Sequence, residues 1–173
     1  MGLDITAYSK ARKIDCLFDK DGDPVDPETH EPIDDYVQVS VSFPERADGL
    51  EDGAVYTTED CFAFRAGGYI VYNVWRDQLA ELAGYPEDPT AAETEQRHCT
   101  ACWNGQTGPF SELINFSDCE GVIGPQTSAK LAADFEQFQA SADAHPDANF
   151  REKYTSFRKA FDLASDGGLV DFH

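Results

Sequence analysis

The spacing of apolar residues changes along this chain, and that change limits the folds it can adopt. Apolar and polar residues alternate in residues 3–8 and again in residues 36–43, and a period of two is typical of half-buried β-strands. Further along, Val71, Trp75, Leu79 and Leu82 recur at helical spacing. The sequence therefore predicts an α+β fold, in which about three helices pack on a mainly antiparallel sheet from the N-terminal half.

The predicted elements form one domain, because 173 residues match the size of a single hydrophobic core and no linker divides them. Strands are expected within the strand-rich region 1–65, over residues 3–8, 14–18, 36–43, 54–57 and 61–64, with a further one over residues 113–116. Helices are expected over residues 69–83, 125–142 and 149–165, and a long loop over residues 85–110. Asn149 and Glu152 resemble a capping box at the start of the last helix.

The charge is concentrated in one segment. The chain has 33 acidic and 13 basic residues, a net charge of −20, and residues 15–60 contain 15 carboxylates against two cations, Lys20 and Arg46. Such a field repels nucleic acid and anionic membranes but attracts basic protein surfaces. We expect a basic protein partner, no direct nucleic-acid contact and no membrane contact. The predicted acidic face comprises Asp19, Asp21, Asp23, Asp26, Glu28, Asp34 and Asp35. The alternative is that the carboxylates serve solubility alone, as in high-salt organisms.

Composition also limits the protein's class. The 12 Phe, 7 Tyr and 2 Trp argue against a disordered acidic tail, since such tails lack the apolar area needed to offset chain entropy. The first residues resemble no signal peptide, so we expect a cytoplasmic protein. Five cysteines without an export signal favour thiols or metal ligands over a disulfide framework.

Two segments could bind metal. Residues 19–30 resemble a calcium loop, but the sixth position is Pro24 and the twelfth is His30, where that loop needs Gly and a bidentate Glu. We therefore expect a solvated hairpin turn and no calcium. Cys99 and Cys102 have the spacing of half a zinc site, and the candidates to complete it are His98 and Cys119, with Cys61 and His173 also available. Zinc is one reading of this set, and unliganded or redox-active thiols are the other.

Two further segments suggest a pocket for an anion. The first has two glycines before a helix and two arginines, and a helix N-terminus with cations favours anionic ligands. The second places several reactive side chains between two predicted elements. The candidate ligand-binding residues are Arg65, Gly67, Gly68, Tyr72, Asn73, Arg76, Ser117, Asp118 and Glu120. Structural ion pairing and an Asx-type turn are the alternatives. In the ligand-free protein we expect Arg76 to pair with Asp118 or Glu120.

Four blocks of sequence resemble a family of small uncharacterised proteins from bacteriophages, prophages and bacteria that begin Met-Gly-Leu-Asp. The blocks are residues 1–8, 64–76, 115–121 and 170–173. The family has no assigned activity, so the resemblance implies a phage or prophage setting and no catalytic residue. Neither the acidic segment nor the His98 to Cys102 cluster belongs to the shared pattern.

These observations favour a non-enzymatic, phage-type protein that uses its acidic face to occupy a basic surface of a host protein. It would act in counter-defence or host takeover, for instance by mimicking the charge of nucleic acid. The first alternative is a small-molecule or nucleotide-binding protein with a pocket between residues 65–76 and 117–120. The second is a zinc-dependent or cysteine-based enzyme, which lacks an identifiable pairing of nucleophile and base.

Overall fold

A four-stranded antiparallel sheet organises the fold, which is α+β as the sequence predicts. The computed structural model describes residues 2–92 and 96–173. The strands are β1 (Leu3–Tyr8), β2 (Arg12–Lys13), β3 (Leu17–Phe18), β4 (Pro24–Val25), β5 (Tyr36–Gln38), β6 (Val55–Thr57), β7 (Cys61–Gly67), β8 (Gly121–Ile123) and β9 (Leu169–Phe172). The helices are α1 (Tyr69–Leu82), α2 (Cys99–Trp103), α3 (Ser111–Ile114), α4 (Pro125–Asp143) and α5 (Ala148–Ala164).

The central sheet has the strand order β7-β1-β9-β8. In β1 the alternation predicted from the sequence is realised, since Leu3, Ile5 and Ala7 are fully buried and the residues between them are half-buried. We call the side of the sheet that carries Leu3, Ile5 and Ala7 the packed face. Helix α5 is in contact with β1 on this side, and Phe64 of β7 meets Phe157 of α5 edge to face. The other side, which carries Thr6, we call the open face.

Helix α1 directly follows β7 because Gly67 reverses the chain at a φ of +108°, which non-glycine residues rarely adopt. Its buried stripe includes Tyr72, Trp75 and Leu79. The buried stripe differs from the predicted one at its first position. Val71 was expected there but is exposed, and Tyr72 is buried instead. Aromatic packing explains the displacement, since the Tyr72 and Trp75 rings both stack with Phe157 of α5.

Two smaller sheets come from the N-terminal region. Strands β2, β6 and β5 form a three-stranded sheet, and β3 with β4 forms a two-stranded hairpin. The three-stranded sheet shares a hydrophobic cluster with the open face, in which Val37 and Tyr56 pack with Val122 and Leu169. It therefore covers one end of that face.

Several predictions about individual elements were wrong. The long loop expected over residues 85–110 contains helix α2. Residues 113–116 contain the end of helix α3 and no strand, and the strand expected over 36–43 extends only through Tyr36–Gln38. Helix α5 is capped by Asp147, whose carboxylate accepts a hydrogen bond from the Asn149 backbone N–H, so no capping box begins at Asn149. The sheet is also not confined to the N-terminal half, because β8 and β9 supply two of its four strands.

In the part of the chain that the structure describes, no helix combines the length and apolar character needed to cross a bilayer.

Candidate functional site

The two segments expected to form an anion pocket do meet, but they form a packed hydrogen-bond network. The Asn73 side-chain amide donates to the Asp118 carboxylate at 3.0 Å. The Arg76 guanidinium donates to the backbone carbonyls of Phe116 at 2.6 Å and Ile114 at 3.3 Å, and to the side-chain oxygen of Asn73. The network joins α1 to the chain that follows α3.

Arg76 is only 5% exposed and lies over the ring of Tyr72, with 4.8 Å between the guanidinium carbon and the ring centroid. The expectation of a direct carboxylate partner for Arg76 was wrong. Its partners are two carbonyls and an amide, and Asp118 is reached only through Asn73. The last carbonyls of α3 have no partners within the helix. A charged donor such as a guanidinium forms strong hydrogen bonds with them.

The turn after this network is held by a serine. The Ser117 hydroxyl accepts hydrogen bonds from the backbone N–H groups of Cys119 and Glu120, at 3.2 and 3.0 Å. The side chains of Cys119 and Glu120 are exposed, and the Cys119 thiol lies 3.4 Å from the Ser117 hydroxyl. The turn is of the Ser/Thr type, where the sequence suggested an Asx-type turn.

The remaining candidate ligand-binding residues lie elsewhere. Arg65 is exposed and pairs in register with Asp4 on the open face of the sheet. Gly67 and Gly68 form the reversal into α1. The structure therefore brings together Tyr72, Asn73, Arg76 and Asp118, but not Arg65 or Glu120.

The predicted acidic face is a projecting arm, which we define as residues 15–35. It contains the β3–β4 hairpin and the loop that follows. Six of its seven predicted carboxylates are exposed, and Asp26 is half-buried. The exposed side chains are those of Asp19, Asp21, Asp23, Glu28, Asp34 and Asp35. Leu17 and Phe18 of the same hairpin are 47% and 49% exposed, so the arm presents apolar surface as well as charge.

The His98 to Cys102 cluster anchors the long loop to α1. The backbone N–H groups of His98 and Cys99 both donate to the Asp77 carboxylate, at 2.7 and 2.9 Å. Cys99 and Cys102 are buried, whereas Cys119 is exposed, and burial raises the pKa of the Cys99 thiol. Within residues 2–92 and 96–173 no three His, Cys, Asp or Glu side chains are grouped to hold a metal ion.

The open face carries a cluster that the sequence did not indicate. Thr6 and His173 are joined by a hydrogen bond of 3.0 Å between hydroxyl and imidazole. Asp171 lies opposite Thr6 in the register of β1 and β9, and burial raises the pKa of its carboxyl to about 6. Burial also raises the pKa of Tyr8, to which the nearby Asp171 and Cys61 contribute.

This cluster escaped detection because its members are about 165 positions apart in the chain. One feature of the sequence was relevant. The resemblance covers residues 1–8 and 170–173, and the structure pairs these two ends as adjacent strands.

Comparison of the chain with protein-family models, with curated proteins and with solved structures gave no significant match. The class of protein is therefore defined by its α+β architecture and by two surfaces, the acidic arm and the polar cluster of the open face.

Proposed function

We propose that this protein is a non-enzymatic interaction protein whose acidic arm binds a basic surface of another protein. The observation that carries the proposal is the exposure of Leu17 and Phe18 between exposed carboxylates. Carboxylates that serve solubility alone do not need large apolar side chains beside them, whereas interaction sites combine an apolar centre with a polar rim.

The arm is preorganised for binding. The Asp19 carboxylate accepts hydrogen bonds from the backbone N–H groups of Asp21 and Asp23, at 2.8 and 3.0 Å. Asp26 does the same for Glu28 and Thr29, at 2.9 and 2.8 Å. These turns fix the positions of the carboxylates before a partner arrives, so less conformational entropy is lost on association.

The charge of the arm is largely uncompensated. Among the residues that the structure describes, its one ion pair joins Lys20 to the neighbouring Asp21 at 3.7 Å, with both side chains well exposed. An ion pair of this kind contributes little energy. The negative field of the arm is therefore available to attract cations on a partner and to accelerate association at low salt.

The setting follows from the resemblance to small phage and prophage proteins. A host protein that handles nucleic acid presents the basic surface that this arm would fit, and occupying it would serve counter-defence or host takeover in the cytoplasm. The anion-pocket alternative is less favoured, since the Arg76 guanidinium already donates to protein acceptors.

The test is capture of partners from host lysate at low and high salt. The wild-type protein is expected to retain a basic protein at low salt and to release it at high salt. Replacing the arm's charges (D21K and D23K) or its apolar pair (L17S and F18S) should weaken the interaction about tenfold or more.

The matched control is the double variant E136K and D162K, which makes the same charge change on exposed positions of α4 and α5. Partner binding should survive in this control. Retention of no basic protein, or equal losses in the arm and control variants, would refute the proposal.

A further inference from the structure

The open face of the central sheet holds a carboxylate without a counterion. Asp171 lies between Thr6 of β1 and Val122 of β8 in the strand register. In the described residues, 2–92 and 96–173, no hydrogen bond or ion pair ends on its carboxyl group. The one group that favours its ionisation is His173, the residue after the end of β9.

Asp171 is half-buried, and the two charged side chains that are more deeply buried in the described part of this fold, Asp134 and Arg76, are both paired. Asp134, at 9% exposure, receives Lys130 at 2.8 Å and the Phe110 backbone N–H at 2.7 Å. Arg76 has its carbonyl acceptors, as described above. Asp171 therefore departs from the rule that a charge withdrawn from water is paired with a group of opposite charge or with hydrogen-bond donors.

The cause of the desolvation is visible in the fold. The three-stranded sheet packs on Val122 and Leu169, the cross-strand and along-strand neighbours of Asp171 on the same face. Water is thereby excluded from one side of the carboxyl group. On the other side the face remains open toward Thr6 and the exposed His173.

The groups beside Asp171 on the uncovered part of the open face indicate which kind of ligand would bind there. Tyr8 contributes an aromatic ring and a hydroxyl, and Thr6 contributes a further oxygen. A carboxylate beside an aromatic ring is the combination that recognises ammonium and guanidinium groups, through an ion pair and a cation–π contact. The titratable groups that interact with Asp171 on this face are Tyr8 of β1 and His173, which follows β9, and Cys61 lies beside Tyr8 on the far strand β7.

We infer that the open face binds an ammonium or guanidinium group, with the Asp171 carboxylate as its counterion and with Thr6 and Tyr8 beside it. A lysine or arginine side chain of a partner protein can supply this cation, and so can a free amine. The inference rests on the proposed function only if a partner protein supplies the cation, and not if a free amine does.

The direct test is an NMR titration of the full-length protein with ¹³C-labelled aspartate. Butylammonium and ethylguanidinium are the probes, and the neutral analogue 1-butanol, with sodium chloride added to match the ionic strength, is the control that lacks the charge. Both probes should lower the pKa of Asp171 by about 1, as a nearby opposite charge does, and should shift the Thr6 and Val122 amides. The butanol control should produce neither effect.

The variants D171N and E136Q separate the site from general charge effects. The probe-induced shifts at Thr6 and Val122 should disappear in D171N and persist in E136Q, which removes an exposed carboxylate on α4. If neither probe changes the Asp171 titration in the wild-type protein, the inference is wrong, whatever the variants show.

Partner capture then distinguishes the source of the cation and the two proposals. Loss of capture in D171N, together with probe binding, supports a lysine or arginine of the partner. Probe binding with undiminished capture supports a free amine. If capture depends on the acidic arm and neither probe binds, this inference is wrong and the proposed function stands. If the probes bind and no partner is captured, the proposed function is wrong and this inference stands.

Discussion

Arg76 and Asp171 are both ionisable groups at least partly withdrawn from water. They differ in their hydrogen bonds, since Arg76 has several partners in the protein and Asp171 has none among the described residues. At the junction of α1 and α3, the Arg76 guanidinium donates to two backbone carbonyls and to Asn73. On the open face, the Asp171 carboxyl has no hydrogen-bond donor among the described residues and its pKa is raised to about 6 by burial.

The contrast indicates different roles for the two regions. A buried charge with several partners holds elements of the fold together, and its removal exposes the partners' unmet hydrogen bonds. A partly buried charge without partners lowers the stability of the fold and suits a group from outside the molecule. We therefore assign the sequence block that contains Arg76 to structure, and we propose binding for the paired ends of the chain.

The largest effect is expected from R76L. The substitution keeps an apolar body beside Tyr72 but leaves the carbonyls of Ile114 and Phe116 without a donor, and each such loss costs about 1–3 kcal/mol. We expect the free energy of unfolding to fall by about 3 kcal/mol in urea denaturation.

The control is R12L, which removes an exposed arginine paired with Glu59 at 3.5 Å; its effect should stay below about 1 kcal/mol. If the R76L protein is as stable as the R12L protein, Arg76 does not hold the fold together, and its contrast with Asp171 is wrong.

The next effect, opposite in sign, is expected from D171N. The pKa of Asp171 is higher in the folded protein, about 6, than its ordinary value of 3.8, so the folded state holds its proton more tightly and loses stability as the pH rises between these values. One pKa unit corresponds to about 1.4 kcal/mol, so the ionised carboxylate destabilises the fold by up to about 3 kcal/mol above pH 6.

D171N removes that destabilisation. The variant should be more stable than the wild type at about pH 8, and its advantage should shrink to less than about 1 kcal/mol at pH 4, where the folded wild type is protonated and the unfolded chain is only partly ionised. The measurement is the free energy of unfolding as a function of pH. A D171N protein that is less stable at pH 8 would show that Asp171 has structural partners after all.

The smallest effect is expected from N73A. Arg76 loses one of its three acceptors and Asp118 loses its donor, but Asp118 is only half-buried and can bind water instead. Unfolding should become easier by about 1 kcal/mol, the usual contribution of one hydrogen bond. The double variant R76L and N73A sharpens the result, because contacting residues give non-additive losses. Exact additivity would mean that Asn73 does not support Arg76.

Local sequence patterns predicted much of the secondary structure. Alternation in residues 3–8 corresponds to β1, and helical spacing from residue 71 onward corresponds to α1, α4 and α5, because burial of one face imposes its period on the sequence. Short elements were predicted less well. Residues 113–116 were interpreted as a strand, since a run of four residues with three large apolar side chains does not distinguish a strand from a helical turn.

Charge, composition and the long elements were thus determined by the sequence itself, including the acidic arm, whose carboxylates are neighbours along the chain. Tertiary structure alone decided which distant groups meet. Arg76 was expected beside a carboxylate, but the chain folded carbonyls toward it. Asp171 and Thr6 become neighbours only when β9 inserts beside β1. The desolvation of a carboxyl group depends on what packs around it in space, and no local pattern of residues records that.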